Sequence, residues 1–241
     1  MNESHPPSPS PTTPVTTSSP DPGSRRFTAW PLLISLCGVL SVVALFLEGR
    51  PDSSSDFDFP VTAEDVLGLD HVPYRISGAL GYVLALLLIA TAACWRHRVE
   101  RRFPGSTGAT TVSFGVVATA ALVTLTYGWR GAVGNYLPSG AEGDTYDAEG
   151  IYNYYILTDF SPYIAFIPLL ASSYGLAWMA FRERLVSRGL GALSGFFATA
   201  LLVAVFVTGV PGLPAMVILG LVVAGIWLAF GRSAITMADA R

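Results

Sequence analysis

Six runs of apolar residues, separated by polar or helix-breaking stretches, set the rhythm of this chain. Positions 27–47, 76–95, 110–129, 162–181, 190–210 and 213–230 each hold 18 to 21 residues without a single Asp, Glu, Lys, Arg or His. At about 1.5 Å per residue, such a run is the length a helix needs to cross roughly 30 Å of hydrocarbon. The pattern therefore predicts an all-α membrane protein, a bundle of six transmembrane helices.

Boundary residues sharpen the elements. Pro73 suits the first turn of the second helix, which extends that span to 73–95, and Ser161-Pro162 reads as the cap and first turn of the fourth. Pro168 should bend the fourth helix. Thr62-Ala63-Glu64-Asp65 places a hydroxyl three residues before a carboxylate, the signature of a short capped helix through Leu69. The third span is rich in Gly, Ala, Ser and Thr, which marks it as central, and Gly191 and Gly195 offer a close-packing face on the fifth. A tight turn at Val210-Pro211-Gly212-Leu213-Pro214 makes helices five and six antiparallel neighbours.

Composition agrees: 51% of residues are hydrophobic and 13% charged, about half the charged share of a soluble domain. Residues 1–26, with seven Pro, six Ser and four Thr, form a disordered tail. The basic residues are all Arg, which suits a bacterial genome rich in G and C. With a cytoplasmic amino terminus, 11 Arg fall inside and three outside, whereas 12 acidic residues fall outside and five inside. The positive-inside rule then places both termini, including the short tail 233–241, in the cytoplasm of a bacterial plasma membrane. Segments 48–72 and 130–161 become acidic extracytoplasmic loops. Four of the five Trp fall near inner ends and Trp129 at an outer end.

Candidate chemistry is sparse. Without ionisable groups inside the spans, proton-coupled carriers and voltage sensors lose their pathway, and a retinal protein lacks its Lys. Cys37 and Cys94 are lone thiols that fill space. His5, His71 and His97 are isolated, so no metal ligand set forms, and nothing calls for a cofactor or for nucleic acid. Ser172-Ser173-Tyr174 is the most polar patch in the membrane, expected to make interhelical hydrogen bonds. One constellation stands out at the outer level: Asp70, His71 and Arg75 before helix two, Arg130 after helix three, and Asp159 before helix four. It reads as the mouth of a pocket walled by Tyr127, Tyr155 and Tyr163, or as structural ion pairs fixing the loops. An arginine held there against the charge bias calls for a carboxylate partner, Asp159 or Asp70.

The turn Leu185-Val186-Ser187-Arg188-Gly189-Leu190 into a Gly-rich helix, with a final helix closing on Ile226-Trp227-Leu228-Ala229-Phe230-Gly231, resembles a bacterial family of small six-helix membrane proteins, domain of unknown function four-three-eight-six. The resemblance implies the fold and no activity. Three functions fit: a non-enzymatic accessory or lipid- or small-molecule-binding bundle, a transporter or channel, or an enzyme using Asp70, Glu142, Asp147 or Asp159. The expected partners are the bilayer and either a second copy or another membrane protein.

Overall fold

The computed structural model describes residues 29–47, 61–231 and 233–237. The tail 1–26, the first half of the first acidic loop and the last four residues lie outside the described residues. Everything regular among those described is helical: α1 (Leu32–Phe46), α2 (Ala63–Leu67), α3 (His71–Trp95), α4 (Thr107–Tyr136), α5 (Ala148–Ile164), α6 (Pro168–Phe181), α7 (Arg188–Thr208), α8 (Val217–Phe230) and α9 (Ala234–Met237). A π-turn, Arg96–Glu100, prolongs α3, and a 3-10 turn, Leu213–Met216, precedes α8.

Five helical stretches are long and apolar enough to cross a membrane, namely His71–Glu100, Thr107–Tyr136, Ala148–Phe181, Arg188–Thr208 and Leu213–Phe230. The first apolar helix, α1, has 15 residues, about 22 Å at 1.5 Å per residue and so short of a roughly 30 Å core. Six helices nonetheless close a ring. Around it α1 packs on α3, α3 on α4, α4 on α6, α6 on α7, α7 on α8, and α8 back on α1.

Small residues let the ring close, because a helix without side chains on one stripe admits its neighbour's backbone. A Cβ built on Gly78 of α3 would lie 2.6 Å from Cα of Gly131 in α4. At the α4–α6 seam a Cβ on Gly115 would sit 2.2 Å from Ser172 Oγ, and at α6–α7 one on Gly191 would meet Ala180 Cβ at 2.1 Å. Polar stitches reinforce these contacts. Ser35 Oγ donates to Val222 O (2.9 Å) between α1 and α8, and Cys37 Sγ lies 3.3 Å from Thr91 Oγ1 between α1 and α3. Ser172 Oγ donates to Val112 O (3.0 Å), and Tyr174 Oη pairs with Thr199 Oγ1 (3.2 Å). The predicted Ser172-Ser173-Tyr174 patch thus bonds between helices at two of its residues, whereas Ser173 bonds back to Leu169 O of its own helix.

Two boundaries depart from the sequence reading. The fourth span begins not at Ser161 but at Ala148, where Asp147 caps α5 by accepting from Gly150 N (2.9 Å). α5 continues through Pro162, breaks at 165–167 and restarts at Pro168, so the break falls where a proline was expected to bend the helix. Ser161 is inside α5, and its buried hydroxyl has no hydrogen-bond partner. The third span runs seven residues past Trp129 to Tyr136, which puts Arg130 on a helix instead of in a loop. By contrast the capping box holds: Asp65 Oδ2 accepts from Thr62 N (2.7 Å), and α2 follows.

Charge is unevenly shared between the ends of the bundle, with Glu100 and Glu183 among the arginines of one end and Arg75 and Arg130 at the acidic other. Arg96, Arg98, Arg101, Arg102, Arg182, Arg184 and Arg188 share the end where Trp30, Trp95, Val99, Leu190 and Leu228 pack together. Glu64, Asp65, Asp70, Glu142, Asp144, Asp147, Glu149 and Asp159 belong with the opposite end, around Val66, Tyr74, Leu137 and Ile151.

Candidate functional site

Inside the ring lies a cavity of about 290 Å³ that all six of its helices line. Its walls are mainly Ile, Leu, Val and Phe side chains, among them Ile34, Leu88, Leu169, Leu176, Leu190 and Phe197. Polar atoms come from Cys37, Thr91, Ser113, Ser172, Ser173 and Ser194, and the lining contains no Asp, Glu, Lys, Arg or His. Thr91 donates to Leu87 O (2.7 Å), Ser172 and Ser173 to the carbonyls already named, and Cys37 is taken up by Thr91. That leaves Ser113 and Ser194 as hydroxyls bordering the space.

The height of the cavity follows from its lining. On α3 it extends from Leu88 to Trp95 and on α7 from Leu190 to Phe197, seven residues each, or roughly 10 Å at the helical rise. Dividing 290 Å³ by that height gives a cross-section of about 30 Å², a slot one extended hydrocarbon chain wide. Trp95 closes its arginine-bearing end, held by Nε1–H donating to Ala109 O (3.0 Å).

The structure distributes the residues singled out at the acidic end over α3 with its cap, α4 and α5. Asp70 is the N-cap of α3, its Oδ1 accepting from Val72 N (2.9 Å) and lying 3.6 Å from His71 Nδ1. Arg75 is exposed on α3 and lays its stem over Gly134 of α4, where an added Cβ would approach Arg75 Cγ to 2.7 Å. Asp159 is exposed on α5. Arg130 behaves differently. It is 1% exposed, and Nη1 donates to Ala44 O (3.3 Å), Leu45 O (3.4 Å) and Ser77 Oγ (3.3 Å). Ser77 Oγ in turn donates to Ala44 O (2.8 Å), and the guanidinium carbon stands 5.8 Å from the Tyr127 ring centre. Arg130 thus lies in α4 just beyond the charge-free run 110–129, and its cation donates to the last carbonyls of α1.

The three tyrosines proposed as walls belong to two packing groups. Tyr127 and Tyr163 pack with the central core, and Tyr155 packs with the outer cluster around Val66 and Ile151. Of the carboxylates offered for catalysis, Asp70 and Asp147 are engaged as helix caps. Among the described residues no three of His, Cys, Asp or Glu converge on one point. The cavity itself was missed from the sequence, although Gly220, set among Leu219, Leu221 and Val222 in an otherwise bulky helix, was a visible sign of space.

Length, apolarity and the closed ring of helices define a multi-pass membrane protein of the helical-bundle class, with an apolar slot at its centre. No family model, curated protein or solved structure matches the chain.

Proposed function

We propose that this protein is a non-enzymatic hydrocarbon-binding bundle of the bacterial plasma membrane, with both termini cytoplasmic and a single lipid chain held in its central slot. The observation that carries the reading is the cavity. A space of about 290 Å³ is far larger than the water-sized gaps that a close-packed interior tolerates, so it is suited to hold an occupant. The lining decides what. Apolar walls without an ionisable group reward hydrocarbon and penalise a polar solute, which would lose its hydration for a few hydroxyls. This counts against a carrier of ions or polar metabolites along the same space. The orientation rests on the segregation of Arg and acidic residues between the two ends, and kinship with the six-helix family of unknown function is compatible with it.

Trp95 provides the test, since it lines the slot. A variant retaining Trp95 and carrying Phe at positions 30, 129, 178 and 227 is reconstituted with lipids brominated along their chains. Bromine quenches indole only at near contact, so Trp95 fluorescence should fall steeply although the ring is 2% exposed. Unquenched emission, at full bromolipid content, would overturn the reading.

A further inference from the structure

We infer that the slot opens sideways through the α7–α8 seam, and that it admits one acyl chain of an anionic phospholipid whose phosphate is received by Arg188. This rests on the hydrocarbon-binding reading and adds the route, the leaflet and the headgroup. Of the residues that line the cavity, the three that are substantially exposed all belong to α7 and α8: Leu193 at 44%, Leu219 at 43% and Val223 at 42%. Exposure confined to those two helices is what an opening at their seam produces.

The seam's construction agrees. The other five seams are drawn together by glycine contacts or by hydrogen bonds between the two helices. Between α7 and α8 the one hydrogen bond among the described residues, from Trp227 Nε1 to Ser187 Oγ (3.0 Å), and the approach of Gly189 to the Trp227 ring are both at the arginine-bearing end. At the other end the chain itself joins them, through Gly209 at φ 71° and the 3-10 turn. Between those fastenings the wall is reduced to Gly220 facing Phe197, whose Cδ1 would be 3.8 Å from an added Cβ. α7 is also the least buried of the five long helical stretches. The result is a window clasped above and below.

Charge identifies the occupant. Arg188 opens α7 two residues before the cavity-lining Leu190, and Arg182 and Arg184 lie exposed in the same turn. From Arg188 to Leu193 is five residues, about 8 Å along the helix, so a lipid with its phosphate beside Arg188 presents its upper chain at the window. The guanidinium supplies a bidentate phosphate donor, and the start of α7 adds its dipole with the same sign.

The full chain, purified from membranes of equal phosphatidylglycerol and phosphatidylethanolamine, is weighed with its retained lipids by native mass spectrometry. Wild type should keep one phospholipid, enriched in phosphatidylglycerol. Arg188→Gln should keep one lipid while losing roughly five-fold in that preference, the ratio one arginine at a membrane surface is worth. Gly220→Leu, whose Cβ would meet only the Phe197 ring, should keep none, and Ser194→Leu blocks the window from α7 should the first block fail to fold. Unchanged preference in Arg188→Gln, or full lipid retention in both blocked variants, overturns the inference and leaves the hydrocarbon reading standing. A retained lipid without phosphate does the same. A wild-type protein that keeps no lipid sinks both.

Discussion

Replacing Arg130 by Met isolates what a buried cation does at the end of a short helix. Met preserves much of the unbranched stem and removes three long hydrogen bonds, to Ala44 O, Leu45 O and Ser77 Oγ. Ala44 O keeps the Ser77 hydroxyl at 2.8 Å, so among these three bonds the loss falls mainly on Leu45 O. A buried carbonyl deprived of its donor costs about 1–3 kcal/mol, and hydrogen bonds from a charged group are worth about 1.5–3 kcal/mol. Against this stands the relief of no longer burying a cation, which can reach several kcal/mol. At separations of 3.3–3.4 Å the bonds belong at the weak end of their range, and the balance comes to about 2 kcal/mol of destabilisation. For a chain of this size that lowers the melting temperature by about 4–8 °C, measurable by intrinsic fluorescence in detergent. Arg130→Lys, with its charge retained, should lose less than half as much. If Arg130→Met melts at or above the wild-type temperature, the guanidinium is a tolerated burden, and the account of how α1 ends is wrong.

Two further outcomes test the packing and the caps. Gly115→Ala drives a methyl to within 2.2 Å of Ser172 Oγ and 2.7 Å of Pro168 O, so α4 and α6 must separate at a cost of about 1–3 kcal/mol. Gly105→Ala, with nothing within 4 Å of its new atom, should change the thermal midpoint by no more than the ~0.5 kcal/mol of an ordinary surface substitution. At α2 the Thr62 amide and hydroxyl hold the Asp65 carboxyl below the usual carboxylate value. With the folded value depressed, the cap's contribution is complete above the unfolded value and fades as the carboxylate protonates, below about pH 4. The protection of amides 63–67, measured relative to their unstructured exchange rates at each pH, should therefore fall on acidification through that range, and Asp65→Asn should remove that pH dependence of protection.

Much of the bundle was legible because hydrocarbon imposes simple demands. Long uncharged runs, small residues on α4, the Gly191 and Gly195 face and the Thr62 capping box each answer one local requirement; five of the six runs form helices long enough to span, and the other features are found in place. Misreadings arose where tertiary contact overrode local signals. Gly131, Gly134 and Asn135 look like loop residues, yet Gly131 and Gly134 are the surfaces on which α3 rests at Gly78 and Arg75, so α4 continues through them. Ser161-Pro162 has the form of a helix start, but Asp147 had already begun that helix. Arg130 reads as an outer-loop arginine but lies within α4, where it donates to Ala44 O, 86 residues away, a contact no local spacing encodes. The slot was illegible for a related reason: it is made by side chains that fail to meet, and only the closed ring reveals where they fail.

The arrangement at Arg130 also bears on the order in which the membrane receives this protein. When α1 leaves the ribosome, the groups that will accept its final turn belong to segments still unmade, Ser77 some thirty residues later and Arg130 more than eighty. Bilayer lipid offers those carbonyls nothing. The opening helix is thus a provisional lodger, secured only once the third long segment threads in behind it, and the insertion machinery must shelter it for that interval.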